Sequence, residues 1–139
     1  MIILDTNVLS EIMRPVPATG VMKWLQMQPR ASMFTTTMTR GEILYGVRLM
    51  PEGARRDRLW DIALDIFNID FAGRLLGFDS DAADAFAEIS ASRRHAGSPI
   101  SQFDAMIAAM ACSRGAILAT RNIKDFIGCG VDVVNPWDC

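Results

Sequence analysis

The chain has 139 residues, of which 50% are hydrophobic and 22% are charged, and its formal net charge is −2. This composition predicts one globular domain over residues 1–139, and it excludes a disordered chain or a surface that is basic overall. The longest stretch without a charged residue has nine residues, whereas a membrane-spanning helix requires about 18. The three cysteines lack C-x-x-C spacing, which argues against a zinc ribbon and favours the reducing cytoplasm.

Short apolar runs alternate along the chain with segments of helical spacing. In chain order we predict a strand at 1–4, helices at 8–13 and 19–28, a strand at 33–35, helices at 36–50 and 59–67, a strand at 75–78, helices at 82–94 and 100–114, and strands at 116–120 and 131–134. This alternation predicts an α/β domain with a central, mainly parallel sheet. The methionines and the three tryptophans are expected mostly in its core.

Four acidic residues occupy equivalent places in this pattern. Asp5 directly follows the first strand, and Glu42 lies in the first turns of the helix after the second. Asp104 opens the helix in PISQFDAMIAAMA, and Asp125 follows the AILAT strand. Because the carboxyl ends of parallel strands share one edge with the amino ends of the helices, the four carboxylates are predicted to converge there.

Taken singly, each acid also fits a helix cap. Asp5 is a common N-cap type, and the other three have capping-box spacing, in Thr39-x-x-Glu42, Ser101-x-x-Asp104 and Asn122-x-x-Asp125. Taken together, four close carboxylates repel one another, and a bound cation is the usual remedy. Oxygen ligands without nearby histidine or cysteine indicate Mg²⁺ or Mn²⁺, and such a site is suited to phosphodiester hydrolysis.

The segments that carry these acids resemble the PIN-domain family, in particular VapC-type and FitB-like toxins. The matching stretches are ILDTNVLSE, the TxxTRGEILYGV region, GSPISQFDAMIAAMA and LATRNIKDF, spread over residues 2–126. The resemblance implies a three-layer α/β/α domain and a Mg²⁺-dependent endoribonuclease toxin of a toxin–antitoxin pair. It also implies a cytoplasmic homodimer that is silenced by a cognate antitoxin and contacts DNA only through that antitoxin.

The resemblance further implies roles for individual residues. Asp5, Glu42, Asp104 and Asp125 would be catalytic, with Asp5 and Asp104 as metal ligands. Many relatives have an acid near the position of Asn122 in this chain, so Asn122 is assigned as a polar helper and Asp125 takes the fourth role. The remaining assignments are Thr6, Asn7 and Thr120 as orienting side chains, and Arg121 and Lys124 as candidates for phosphate binding.

Other functions compete with this interpretation. A non-catalytic protein-binding module could share the architecture, although clustered repulsion brings such a module little benefit. A phosphoacceptor domain would require an acidic Mg²⁺ pocket and a nearby lysine, for which Lys124 is available. A metal-free ribonuclease often uses a pair of histidines, and His95 is the only histidine in the chain.

Overall fold

The structure, a computed structural model, describes residues 1–139 and contains five strands and six α-helices. The strands are β1 (Ile2–Leu4), β2 (Met33–Thr36), β3 (Leu75–Leu76), β4 (Ile117–Ala119) and β5 (Asp132–Val134). The helices are α1 (Thr6–Ile12), α2 (Thr19–Met27), α3 (Thr37–Arg48), α4 (Ala54–Asp65), α5 (Ser80–His95) and α6 (Gln102–Arg114). A π-helical turn at Ile66–Asp70 and 3₁₀ turns at Arg30–Ser32 and Ile123–Phe126 complete the regular structure. None of the helices is both long enough and apolar enough to cross a membrane.

The sheet is parallel throughout, with the strand order β3-β2-β1-β4-β5. The first strand of the sequence therefore lies at the centre of the sheet. The chain adds β2 and β3 on one side of β1, then crosses over and adds β4 and β5 on the other side. The strand order reverses between β1 and β4, and in open parallel sheets ligands bind outside the carboxyl ends of the strands at such a point.

Helices cover both faces of the sheet and form two cores. Leu4 and Ala119 are register partners on β1 and β4, and both belong to the core cluster formed with helices α1 to α4. Ile3 and Leu118, one position earlier, belong to the opposite cluster, formed with α5 and α6. This alternation is expected for strands that are buried on both faces. The predicted three-layer α/β/α architecture with a parallel sheet is thus confirmed.

Helix capping follows the predictions only in part. The Ser101 hydroxyl accepts a hydrogen bond from the backbone N–H of Asp104 at 3.2 Å, as its spacing predicts. The prediction for α3 is wrong, because Thr36 caps this helix by accepting from the N–H of Thr39 at 3.1 Å. The side chain of Asn122 makes no capping hydrogen bond to the turn that follows it.

Candidate active site

An acidic cleft opens at the carboxyl edge of the sheet, where the strand order reverses. Asp5 directly follows β1 and Thr120 directly follows the neighbouring β4. The backbone N–H of Asp5 donates to the Ala119 carbonyl at 2.9 Å, which extends the pairing one residue beyond β1. Only 4% of Asp5 is exposed. The sheet therefore both fixes and buries this carboxylate.

Three donors hold the carboxylate of Asp5. Its Oδ1 accepts from the backbone N–H of Thr6 at 2.8 Å, and its Oδ2 accepts from the Thr120 hydroxyl at 2.8 Å and from the Asn7 amide at 3.3 Å. The Thr120 hydroxyl also accepts from the Asn7 amide at 3.1 Å and from the Asn122 backbone N–H at 3.2 Å. A hydroxyl can donate one hydrogen bond and accept two, and the Thr120 hydroxyl makes all three. Thr120 is therefore held in one orientation and in turn orients Asp5.

Glu42 enters the cleft from α3. Its Oε1 accepts a hydrogen bond from the Thr6 hydroxyl at 2.9 Å, and this hydroxyl lies 3.1 Å from the hydroxyl of Thr39. Since Thr6 donates its single hydroxyl hydrogen to Glu42, Thr39 is the donor to Thr6. This chain of hydrogen bonds ties the Glu42 carboxylate to the start of α1, beside Asp5.

Three of the four predicted acids line one cleft of about 480 Å³: Asp5, Glu42 and Asp104. They come from three separate segments, the end of β1, the helix α3 and the first turn of α6. Burial raises the pKa of Asp5 above its ordinary value of 3.8, and the charges of Asp104 and Glu42 raise it further. The hydrogen bonds that Asp5 accepts lower its pKa but do not cancel the effect of burial. The surroundings of Asp5 in this cleft therefore disfavour its ionised form.

Asp125 and Lys124 lie outside the residues that line the cleft, whereas Arg121 and Asn122 line it. Asp125 nevertheless acts on the site through Asp104. Burial raises the pKa of Asp104 above 3.8, the charge of Asp125 raises it further, and contact with the Ser101 side chain opposes both. Asp125 is thus an outer acid whose charge reaches the cleft by way of Asp104.

Sequence reasoning missed four residues that line the cleft: Ser10, Glu11, Arg14 and Trp137. Glu11 is only 4% exposed and accepts from Arg14 at 3.4 Å and from the Ala18 backbone N–H at 3.2 Å. Its signal is present in the sequence, because Glu11 closes the stretch ILDTNVLSE. The spacing of Glu11 and Arg14 is that of an ordinary helical ion pair, which conceals their place in the cleft.

The donor set of the cleft fits a hydrated, hard cation better than zinc. No group of three or more acidic, histidine or cysteine side chains is close enough to form a ready-made metal cage. Mg²⁺ keeps several of its waters and binds through one or two carboxylates, so a wide acidic cleft suits it. A structural zinc site would need close-set nitrogen or sulfur ligands.

An apolar groove adjoins the cleft. It encloses about 770 Å³ between α1, α3 and α4, with Val47, Leu59 and Ile62 among its lining residues. The groove and the cleft share Thr6, Ser10, Arg14 and Glu42 as wall residues. A molecule lying in the groove would therefore end beside the acids.

The fold and the cleft together define a class of protein: a parallel α/β/α domain with carboxylates gathered at the carboxyl edge of its sheet. The family model of the PIN domain matches residues 2–127, and the chain belongs to the PIN-domain family. The family predicted from the motifs is thus confirmed.

Relatives of similar length span nearly the whole chain. The plasmid stability protein StbB of Pseudomonas syringae pv. tomato is 39% identical over 138 residues, which cover 99% of both chains. The VapC ribonuclease Y4jK of Sinorhizobium fredii is 36% identical, and the toxin FitB of Neisseria gonorrhoeae is 35% identical, each again covering 99% of both chains. The solved structure of FitAB bound to an IR36 DNA fragment contains a chain with a TM-score of 0.92 and 35% identity, which covers 99% of this chain and 96% of that one.

Proposed function

We propose that this protein is a Mg²⁺-dependent endoribonuclease and the toxin of a toxin–antitoxin pair. The observation that carries the proposal is the convergence of Asp5, Glu42 and Asp104 from three separate segments into one cleft. Repulsion among these carboxylates is unfavourable for folding alone, and burial raises the pKa values of Asp5 and Asp104, so a bound cation would stabilise their ionised forms. The names of two relatives, a ribonuclease and a toxin, support the same activity.

Asp5 and Asp104 would hold the ion, with Mn²⁺ as a substitute for Mg²⁺. When bound, such an ion lowers the pKa of water and offsets charge on the leaving oxygen of a phosphodiester. Glu42, oriented by the Thr6 hydroxyl at 2.9 Å, holds water in the cleft by accepting its hydrogen bonds. Thr120 and Asn7 keep the Asp5 carboxylate aimed into the cleft. Hydrolysis then leaves a 5′-phosphate and a 3′-hydroxyl.

The outer residues supply charge and contact to the substrate. Asp125 is the fourth acid and acts through Asp104, whose pKa its charge raises. Arg121 lines the cleft and is available for an RNA phosphate, with Asn122 beside it. Lys124 is one turn away on the exposed surface and would assist by attracting the RNA backbone.

The protein's partners follow from its relatives. We infer a cognate antitoxin protein that silences the nuclease, a homodimer, a cytoplasmic location, and contact with DNA only through the antitoxin. The solved structure of FitAB bound to a DNA fragment supports the inference of a protein partner and of a link to DNA. An antitoxin segment that fills the apolar groove would reach Glu42, because the groove and the cleft share that residue.

Cleavage of total cellular RNA by the purified protein tests the proposal. We expect discrete fragments with 5′-phosphate ends in the presence of Mg²⁺, and none in EDTA. Asp5→Asn should abolish cleavage, because it removes one carboxylate charge at the centre of the site. Asp84→Asn is the matched control, since Asp84 is an exposed acid of α5 outside the cleft.

Three results would count against the proposal. Cleavage by Asp5→Asn at the parental rate would show that the acidic cleft is not the active site. Absence of cleavage by the parent, together with no thermal shift on addition of Mg²⁺, would favour a non-catalytic protein-binding module of the same architecture. Acceptance of a phosphoryl group from a small phosphodonor would favour a phosphoacceptor domain.

A further inference from the structure

Arg121 and Trp137 form a stacked pair at the wall of the acidic cleft. The guanidinium carbon of Arg121 lies 5.0 Å from the centre of the Trp137 ring, within the range of a cation–π contact. Both residues line the cleft together with Asp5, Glu42 and Asp104. Arg121 follows β4 and Trp137 follows the neighbouring β5, so the pair stands at the same carboxyl edge as the acids.

The backbone holds both partners of the pair. The N–H of Arg121 donates to the side-chain oxygen of Asn7 at 3.1 Å, and Asn7 also donates to Asp5. The N–H of Trp137 donates to the side-chain oxygen of Asn135 at 2.9 Å. The Trp137 ring is half-buried and packs against the core cluster that contains Leu4. The stack is therefore anchored to the core and to the residues that orient Asp5.

Arg121 is the cation of the cleft that has no acidic partner. Two arginines line the cleft, and Arg14 is paired with Glu11 at 3.4 Å. No carboxylate lies within ion-pairing distance of Arg121, and the residue is exposed. A cleft lined by several carboxylates repels a phosphodiester, so an unpaired guanidinium at its wall is a favourable point for a phosphate to bind.

We propose that Arg121 binds a phosphate of the RNA substrate and that Trp137 is the positioning residue that holds its guanidinium over the cleft. The proposal rests on the proposed nuclease function and adds a residue to it that the motifs do not contain. The guanidinium of Arg121 forms no ion pair, and a cation–π contact with the indole uses none of its N–H donors, so these donors remain available to a phosphate. Trp137 thus acts on RNA through Arg121.

A double-mutant cycle tests this dependence. A short fluorescein-labelled RNA of mixed sequence is titrated in Mg²⁺ against Arg121→Gln, Trp137→Leu and the double variant, each in an Asp104→Asn background that prevents cleavage. We expect Arg121→Gln to weaken binding roughly tenfold and to reduce the slope of log K against log salt by about 0.7. Trp137→Leu should weaken binding roughly threefold and should have no further effect once Arg121 is Gln.

A second stacked pair on the same molecule provides the control. The guanidinium of Arg48 lies 3.9 Å from the centre of the Trp60 ring, and neither residue lines the cleft or the groove. Arg48→Gln and Trp60→Leu remove the same charge and the same ring, and both should leave RNA affinity unchanged. With cleavage-competent chains, Trp137→Leu should raise KM and leave kcat nearly unchanged, while Trp137→Phe should restore KM.

The outcomes separate this proposal from the nuclease function. Parental cleavage together with parental RNA affinity for Arg121→Gln would overturn the phosphate site and leave the nuclease intact. Additive losses in the cycle would overturn the positioning role, because Trp137 would then contact RNA independently. Equal losses for the Arg48 and Trp60 variants would also overturn it. A parent that neither binds nor cleaves RNA would overturn both proposals.

Discussion

Thr120 is a fully buried residue whose hydroxyl joins Asp5, Asn7 and the backbone of Asn122. Thr120 donates directly from the end of β4 to the carboxylate that follows β1, and Asn7 makes a second link between that carboxylate and the N–H of Arg121. Its hydrogen bond is also the largest of the effects that lower the pKa of Asp5. Removal of this hydroxyl should therefore lower the free energy of unfolding and also raise the pKa of Asp5 further.

Thr120→Val keeps the volume of the side chain and removes the hydroxyl. We expect a loss of about 1–3 kcal/mol in the free energy of unfolding, because buried polar partners are left unsatisfied. Thr120→Ser is the matched control, since it keeps the hydroxyl and loses only a methyl group. Urea denaturation measures both, and equal midpoints for the Val and Ser variants would refute the role of this hydroxyl.

The raised pKa values of Asp5 and Asp104 make the stability of the metal-free protein depend on pH. The folded state binds these protons more tightly than the unfolded state, whose pKa is near 3.8. Their stabilising contribution is therefore complete below 3.8 and is lost as the pH rises through the folded-state pKa values.

Asp104→Asn should remove one of these two contributions. In EDTA, its urea midpoint should decline less than that of the parent as the pH rises above 3.8. The difference between the two curves is the relevant quantity, because it contains the contribution of Asp104 and its effect on the pKa of Asp5, whereas carboxylates that do not interact with Asp104 affect both chains equally. Parallel curves for the two chains would show that Asp104 has no raised pKa.

The acids of the site follow from the sequence better than their supporting residues do. Asp5, Glu42 and Asp104 stand where strands end or helices begin, and a parallel sheet brings such positions together. Glu11 closes the stretch ILDTNVLSE, but it has the spacing of an ordinary helical ion pair, and this spacing concealed its place in the cleft. Trp137 was expected in the core. Its place at the wall of the cleft depends on contact with Arg121, which follows β4, whereas Trp137 follows β5.

At the scale of elements, Arg93 joins the end of α5 to the segment that carries Asp125. It is only 9% exposed, and its guanidinium donates to the carbonyls of Ser98 at 2.7 Å, Asp125 at 2.9 Å and Ile127 at 3.0 Å. No carboxylate pairs with it. Backbone carbonyls thus satisfy a buried cation and fix the turn that follows β4.

Arg93→Lys keeps the charge but cannot reach three carbonyls with one ammonium group. We expect amide hydrogens between Asn122 and Cys129 to exchange roughly tenfold faster, since this segment would open locally. The neighbouring Arg94 is exposed, so Arg94→Lys should leave exchange unchanged. Hydrogen exchange followed by mass spectrometry measures both variants. Parental protection in Arg93→Lys would contradict the role of the Arg93 guanidinium in fixing this segment.

The elements themselves were largely predictable because each strand is a short apolar run between polar turns. The strands came out shorter than predicted at 75–78 and 116–120, where only Leu75–Leu76 and Ile117–Ala119 pair. The apolar face at 59–67 continues past α4 into the π-helical turn at Ile66–Asp70. Apolar spacing alone cannot distinguish an α-helical turn from a π-helical turn, because both bury the same side chains.

At the scale of the whole molecule, the cleft joins the end of β1 to α3 and α6. An ion that binds there connects segments that are distant in sequence, and it binds only when the chain is folded. Mg²⁺ at about ten times its Kd should therefore raise the free energy of unfolding by about 1.4 kcal/mol and Tm by about 5 °C.

Differential scanning fluorimetry of three chains measures this effect. Asp84→Asn should keep the shift, and Asp104→Asn should lose most of it. An equal shift in all three chains would indicate binding elsewhere on the surface. No shift in the parent would contradict the proposed ion.

The central position of β1 has a consequence for synthesis of the protein. Asp5 is synthesised before the residues that hold it, because its strand pairs with β4 and its carboxylate with Thr120, 115 residues later. Such distant pairing forms late in folding. A nascent chain that has not yet reached β4 therefore lacks both the register partner of β1 and the hydroxyl that orients Asp5, so its acidic cleft is still incomplete.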